Sequence, residues 1–211
     1  MYRKLLLSLF IVLTTNSCIV RSWNAFYFES QKLRESFVLG VWQNGEKGQD
    51  TEGQWVIEEL KAAEQAEDNR YYRMSYFQEK QGRFTAYFHL TLFSLDNVLY
   101  ADIQDVSLLD EHSISYVSSP LALFSQVPVH MIAKVEKIES GGFNFLFLNE
   151  KAIAQKRIKY ISRFANETDS ESEILLTAST KKLQRWLKKI DDSHWDIEYS
   201  LRPIEVRSTL D

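Results

Sequence analysis

The sequence predicts a mainly β protein with some helix: an antiparallel β-barrel with two or three short helices, mostly C-terminal. Two observations carry this. Short apolar segments with a strict period of two follow one another, separated by turn residues, as in an antiparallel meander. Near the C-terminal end the period changes to that of a helix. The totals agree: the 211 residues are 45% hydrophobic and 13% aromatic, with only seven glycines and three prolines. That is enough apolar material for one packed domain, and it is not the composition of a low-complexity or fibrous chain.

The elements run as follows. Met1 to Lys4 is a basic start, Leu5 to Leu13 a nine-residue apolar run, and Thr14 to Ser17 a small polar exit. This order is that of an export signal. Nine residues at about 1.5 Å each fall well short of a hydrocarbon core of about 30 Å, so the run does not read as a permanent transmembrane helix. Residues 1–17 are therefore assigned to a signal peptide. Residues 18–36 form an N-terminal spacer or loosely docked arm, whose Trp23, Phe26 and Phe28 could pack on the body or sit near lipid headgroups. Residues 37–211 form the barrel domain.

"FVLGVW" opens the first strand and runs into Asn44-Gly45, a hairpin-turn dipeptide. "QWVIEEL" (54–60) follows, and the polar stretch 61–69 reads as a long loop or one helical turn. Tyr72, Met74 and Tyr76 share one face of the next strand, opposite Arg73 and Ser75. Phe84, Ala86, Phe88, Leu90 and Leu92 share a face of the one after it. Leu99, Ala101 and Ile103 follow the Asp96-Asn97 turn. Val129, Met131, Ala133 and Val135 come next, then the Gly141-Gly142 turn, then Phe143, Phe145 and Phe147. One-sided apolar faces must be buried, and closing the meander into a barrel buries them and removes the sheet edges. Residues 105–126 interrupt the series as a candidate lid or short helix.

A helix is expected over 150–165, from Ile153, Ile158, Ile161 and Phe164, and a buried strand over 174–178. A second helix is expected over about 180–190, capped by Ser179 or Thr180. Leu183, Trp186, Leu187 and Ile190 lie on one side of it. Lys181, Lys182, Arg185, Lys188 and Lys189 lie on the other, a face suited to water or to anionic lipid. Trp195, Ile197, Tyr199 and Leu201 alternate as a last strand.

Cys18, the only cysteine, stands where the signal would be cut. In this the first 18 residues resemble bacterial lipoprotein precursors, whose cleaved cysteine is acylated. Ser17 fits the pattern, while Thr15 occupies a place usually held by leucine. A single cysteine cannot form an internal disulfide, which agrees with a modified thiol in an exported chain. The resemblance implies a membrane partner through a lipid anchor on Cys18. Ile19 in place of aspartate favours the outer membrane or cell surface.

Gly40 and Trp42 resemble the Gly-x-Trp opening of lipocalin-like barrels. With Phe84 to Leu92, Pro128-Val129-His130, Thr177 to Thr180 and Leu183-Gln184, the span 37–190 resembles a group of bacterial lipocalin-like lipoproteins. That resemblance implies fold and setting and no activity. The inward aromatics Trp42, Tyr72, Tyr76, Phe88 and Phe145 are the candidate ligand-binding residues, for a small apolar or amphipathic molecule. The alternative is that they fill a closed core in a structural or protein-interaction lipoprotein.

Other chemistry finds little footing. The chain carries a net charge of −4, or −6 without residues 1–17, and no basic stripe, which argues against nucleic acid. His89, His112, His130 and His194 show no ligand spacing, so no metal or other cofactor is expected. No nucleophile elbow or phosphate-cradling glycine loop is present, so no catalytic residue is assigned; the enzyme alternative is a hydrolase built on dispersed residues, which would need His130 or His194 within hydrogen-bond reach of a hydroxyl and a carboxylate. His130, after Pro128, reads as a solvent-side or network-forming residue.

Overall fold

The computed structural model describes residues 20–45, 53–60, 72–78, 84–105, 129–139, 141–148, 161–165 and 172–204. Eight antiparallel strands close a barrel. They are β2 (Gly40–Asn44), β3 (Gln54–Glu59), β4 (Tyr72–Gln78), β5 (Phe84–Leu95), β6 (Val98–Asp105), β7 (His130–Lys137), β8 (Phe143–Leu148) and β11 (Trp195–Pro203). Each of β2 to β8 pairs with the next, and β11 closes the ring between β8 and β2. Three further strands extend one side. β1 (Arg21–Ser22) pairs with the start of β7 and, in parallel, with β10 (Ser172–Leu176), which pairs with β9 (Ile161–Ala165).

The period-two pattern works as expected. Inward positions build one core from Trp42, Ile57, Leu90, Leu92, Ala101, Ala133, Phe143 and their neighbours. The outward positions Phe93, Leu95, Tyr100, Ile132, Leu146 and Leu148 are also apolar, and they build a second core outside the wall. The helix α1 (Thr180–Leu187) covers it, contributing the buried Leu183, Trp186 and Leu187. Burial of such side chains contributes roughly 1.5–3 kcal/mol each, which explains why five of the six residues of β8 are apolar. Ser179 is the N-cap by backbone conformation, and the Thr180 hydroxyl instead donates to Ala25 O (2.8 Å).

The N-terminal arm is docked from Val20 onward. Val20 and Phe26 are buried in the outer core, while Trp23 and Phe28 face solvent. The arm then crosses beneath the barrel. Leu33 N donates to Leu92 O (2.8 Å), and a 3-10 turn at Ser36–Val38 sets the fully buried Val38 as a plug. The Trp42 indole N–H donates to Val38 O (2.9 Å). Gly40, at φ 139°, adopts a backbone conformation that L side chains rarely adopt and that favours glycine, and the Trp42 ring lies over it.

Three expectations are corrected. Residues 161–165 of the expected 150–165 helix form β9, because pairing with β10 outweighs a weak helical period; residues 150–160 lie outside the described residues. Among the described residues there is one α-helix, with 3-10 turns at Glu29–Gln31, Ser36–Val38 and Asp192–His194. Asn44-Gly45 is not a two-residue hairpin turn: β3 resumes only at Gln54, and both residues bond Ser200 of β11 (2.9 and 3.0 Å). The run Trp195, Ile197, Tyr199, Leu201 does not keep one face, because the register shifts between Ile197 and Tyr199. Trp195 therefore joins the outer core, and Tyr199 and Leu201 the inner one. The 61–69 loop and the lid expected beyond Asp105 fall outside the described residues.

Candidate ligand site in the barrel

The two ends of the barrel differ. At the end where β2 begins, the plug closes the interior. Phe143 packs edge-on against Trp42 (5.0 Å between centroids) and Phe37 (5.8 Å). The fully buried Tyr72 hydroxyl accepts a hydrogen bond from Glu35 N (2.6 Å), tying the arm to β4. Burial raises the Tyr72 pKa, with the Glu35 backbone bond opposing it, so the phenol stays protonated across the physiological range.

Toward the other end lies a cavity of about 100 Å³. Trp55 of β3 and Met74 of β4 form one side, Phe88 and Ile103 another, and Met131, Phe145, Phe147 and Tyr199 the remainder. Seven of the eight barrel strands contribute. Trp55 is the hub, with Tyr76 at 4.7 Å, Tyr199 at 5.3 Å and Phe88 at 6.2 Å between ring centroids. Gly53 permits this: a side chain there would overlap the Tyr76 ring. Among the lining side chains only Trp55 and Tyr199 carry an N–H or O–H. Burial raises the Tyr199 pKa, with Glu198 and Tyr76 adding to it, so this hydroxyl stays a neutral donor at the cavity wall. The void has room for roughly three water-sized groups, and its surface suits carbon.

Of the candidate residues read from the sequence, Phe88 and Phe145 line the cavity. Tyr76 stands behind Trp55, and Trp42 and Tyr72 belong to the closed end. Cys18 lies outside the described residues. Trp55, Met74, Ile103, Met131, Phe147 and Tyr199 were not singled out. Their inward parity was available as a signal; which end of the barrel stays unfilled was not.

A second polar cluster sits on the outer wall. Asp102 of β6 is 2% exposed. Its Oδ2 accepts from Phe26 N (2.8 Å) and its Oδ1 lies 2.7 Å from His130 Nδ1. His130 is thus the network-forming residue of the two readings. Its cross-strand neighbour Ser22 is fully buried, with its hydroxyl 2.8 Å from Asn24 O and 3.3 Å from Leu176 O. An Asp–His pair beside a serine resembles hydrolytic machinery only in composition, because this hydroxyl is committed to backbone carbonyls. The cluster fastens the arm. Burial lowers the pKa of His89, on the outer face of β5, and His194 is buried in the turn before β11; His112 lies outside the described residues. Among the described residues no group of three His, Cys, Asp or Glu is placed to hold a metal, and no helix is long and apolar enough to cross a membrane.

No family model, curated protein or solved structure matches this chain.

Proposed function

We propose that this chain is an exported lipoprotein, held to a membrane by an acylated Cys18, whose barrel takes up a small apolar group such as the end of an acyl chain. The cavity beside Trp55 carries the ligand half of this reading, because it is lined almost wholly by carbon and lies away from the plug. Met74 and Met131 add adaptability: unbranched and with three rotatable bonds, they let a small void reshape around a guest. The export half rests on the order of residues 1–18.

The cavity is smaller than the roughly 300–1,000 Å³ of most ligand pockets. That single observation favours the second reading, a filled barrel that acts through its surface. Titration with decanoate separates the two. The ligand reading expects a saturable change in tryptophan fluorescence that is lost in Trp55→Phe, and native mass spectra of the purified protein carrying a bound lipid. A flat titration and a bare protein mass would leave the filled barrel standing. The anchor is tested separately by the mass of the N-terminal peptide, where an unmodified cysteine would overturn it.

A further inference from the structure

The outer core leaves one surface that neither the cavity nor the plug explains. α1 buries Leu183, Gln184, Trp186 and Leu187 and turns Lys181, Lys182 and Arg185 to solvent, with Lys188 and Lys189 exposed just beyond its end. Residues 179–190 contain five cations and no acid. With −4 for the whole chain and +5 here, the rest of the chain carries −9. The positive charge is therefore a local feature of an acidic protein.

Two exposed aromatics flank this helix. Asn24 Nδ2 donates to Ala178 O (3.0 Å), Thr180 Oγ1 to Ala25 O (2.8 Å) and Gln184 Nε2 to Phe26 O (2.9 Å). The arm is thereby laced along the first two turns of α1. Trp23 and Phe28 each stand within two residues of a laced position, about 7 Å of chain at most. They are 51% and 44% exposed, although Phe26 between them is fully buried. Tryptophan beside lysine and arginine is the pairing that suits the headgroup region of a bilayer, where rings take the interfacial layer and cations meet lipid phosphates. Of the neighbouring acids, Asp96 pairs with Lys188 (2.7 Å) and so offsets one of the five cations, while Asp192 is held by Lys134 (3.0 Å) and Glu29 by Lys32 (2.6 Å), cations outside residues 179–190. Asp191 adds one exposed carboxylate.

We propose that the face formed by α1, Trp23 and Phe28 docks on an anionic lipid bilayer. The charge complementarity selects the occupant, since the rest of this acidic chain is repelled by such a surface. The docking stands without the anchor. Where Cys18 is acylated, the anchor lies two residues of chain before Val20, the first residue of the docked arm.

The test uses the full chain carrying Cys18→Ser, which cannot be acylated, floated with phosphatidylglycerol/phosphatidylcholine vesicles and with phosphatidylcholine alone. Binding is expected to require phosphatidylglycerol and to weaken with salt. Lys181→Gln with Arg185→Gln is expected to lower partitioning about 25-fold, near fivefold per cation, and Trp23→Ser to lower it further. A second pair, Lys182→Gln with Lys189→Gln, guards against a folding defect in the first. If both pairs partition like the parent, binding belongs to the apolar run at 5–13 and the proposal falls. Equal binding to neutral vesicles, or none to either, overturns it too. A failure of acylation in the native chain leaves it untouched.

Discussion

At the scale of single residues, Asp102 ties the N-terminal arm to β6 and β7. Its carboxylate is almost fully buried, and it meets two donors, Phe26 N–H and the His130 ring. A buried carboxylate is tolerated only when its oxygens are satisfied. Asp102→Ala removes the acceptor and leaves a buried amide unpaired, at an expected cost of about 3 kcal/mol by urea denaturation. Hydrogen exchange gives the more specific reading. The Phe26 amide should lose protection while β3 and β4 keep theirs, because the arm loosens and the barrel does not. Nothing near Asp102 in the sequence announces this role. In "VLYADIQD" it is simply the polar partner of an alternating strand, and its bond to Phe26 spans 76 residues. Gly40 was legible only as part of the Gly-x-Trp resemblance; the backbone conformation that favours glycine there, and the Trp42 ring packed over it, come from the fold.

At the scale of elements, β11 is a strand with two identities. Ile197 pairs with Leu146 and Tyr199 with Phe145, so the one-residue excess around Glu198 switches the strand from the outer core to the inner one. Deleting Glu198 would restore continuous pairing and turn Trp195 off the outer face. The expected loss is comparable with removing a buried tryptophan, about 3–5 kcal/mol, measurable as a shift in the denaturation midpoint. The sequence conceals the switch because Trp195, Ile197, Tyr199 and Leu201 keep the same parity throughout. The barrel strands β4 to β8 were legible for the opposite reason: each holds one parity, and turns such as Asp96-Asn97, at φ 53° and 65°, separate them. β9 was misread because Ile161 and Phe164 also fit a helix, and only pairing with β10, the next strand along the chain, decides between the two. α1 was legible from its period, yet the buried Gln184 was not, since its partners Phe26 and Gln31 lie more than 150 residues away.

At the scale of the whole molecule, the two ends of the barrel set up a direct test of whether the void is usable space. Ile103 lines the cavity and is nearly fully buried. Ile103→Phe should fill the void with a stability change within about 1 kcal/mol, where the same enlargement in a tight core costs roughly 1–3 kcal/mol. It should also abolish any decanoate response. Thermal denaturation and the fluorescence titration check the two halves. The sequence supported closure of the sheet, because one-sided apolar faces leave no other burial. It could not rank the two ends, since inward residues look alike until the arm takes its place beneath one of them. Closure also has a consequence in time. β2 can find its second neighbour only when β11 arrives, joining Trp42 to Pro203 across 161 positions of chain. Such distant pairing is slow, and until it happens both β2 and β8 keep a bare edge. A ribosome must therefore release the chain as far as β11 before the ring can shut.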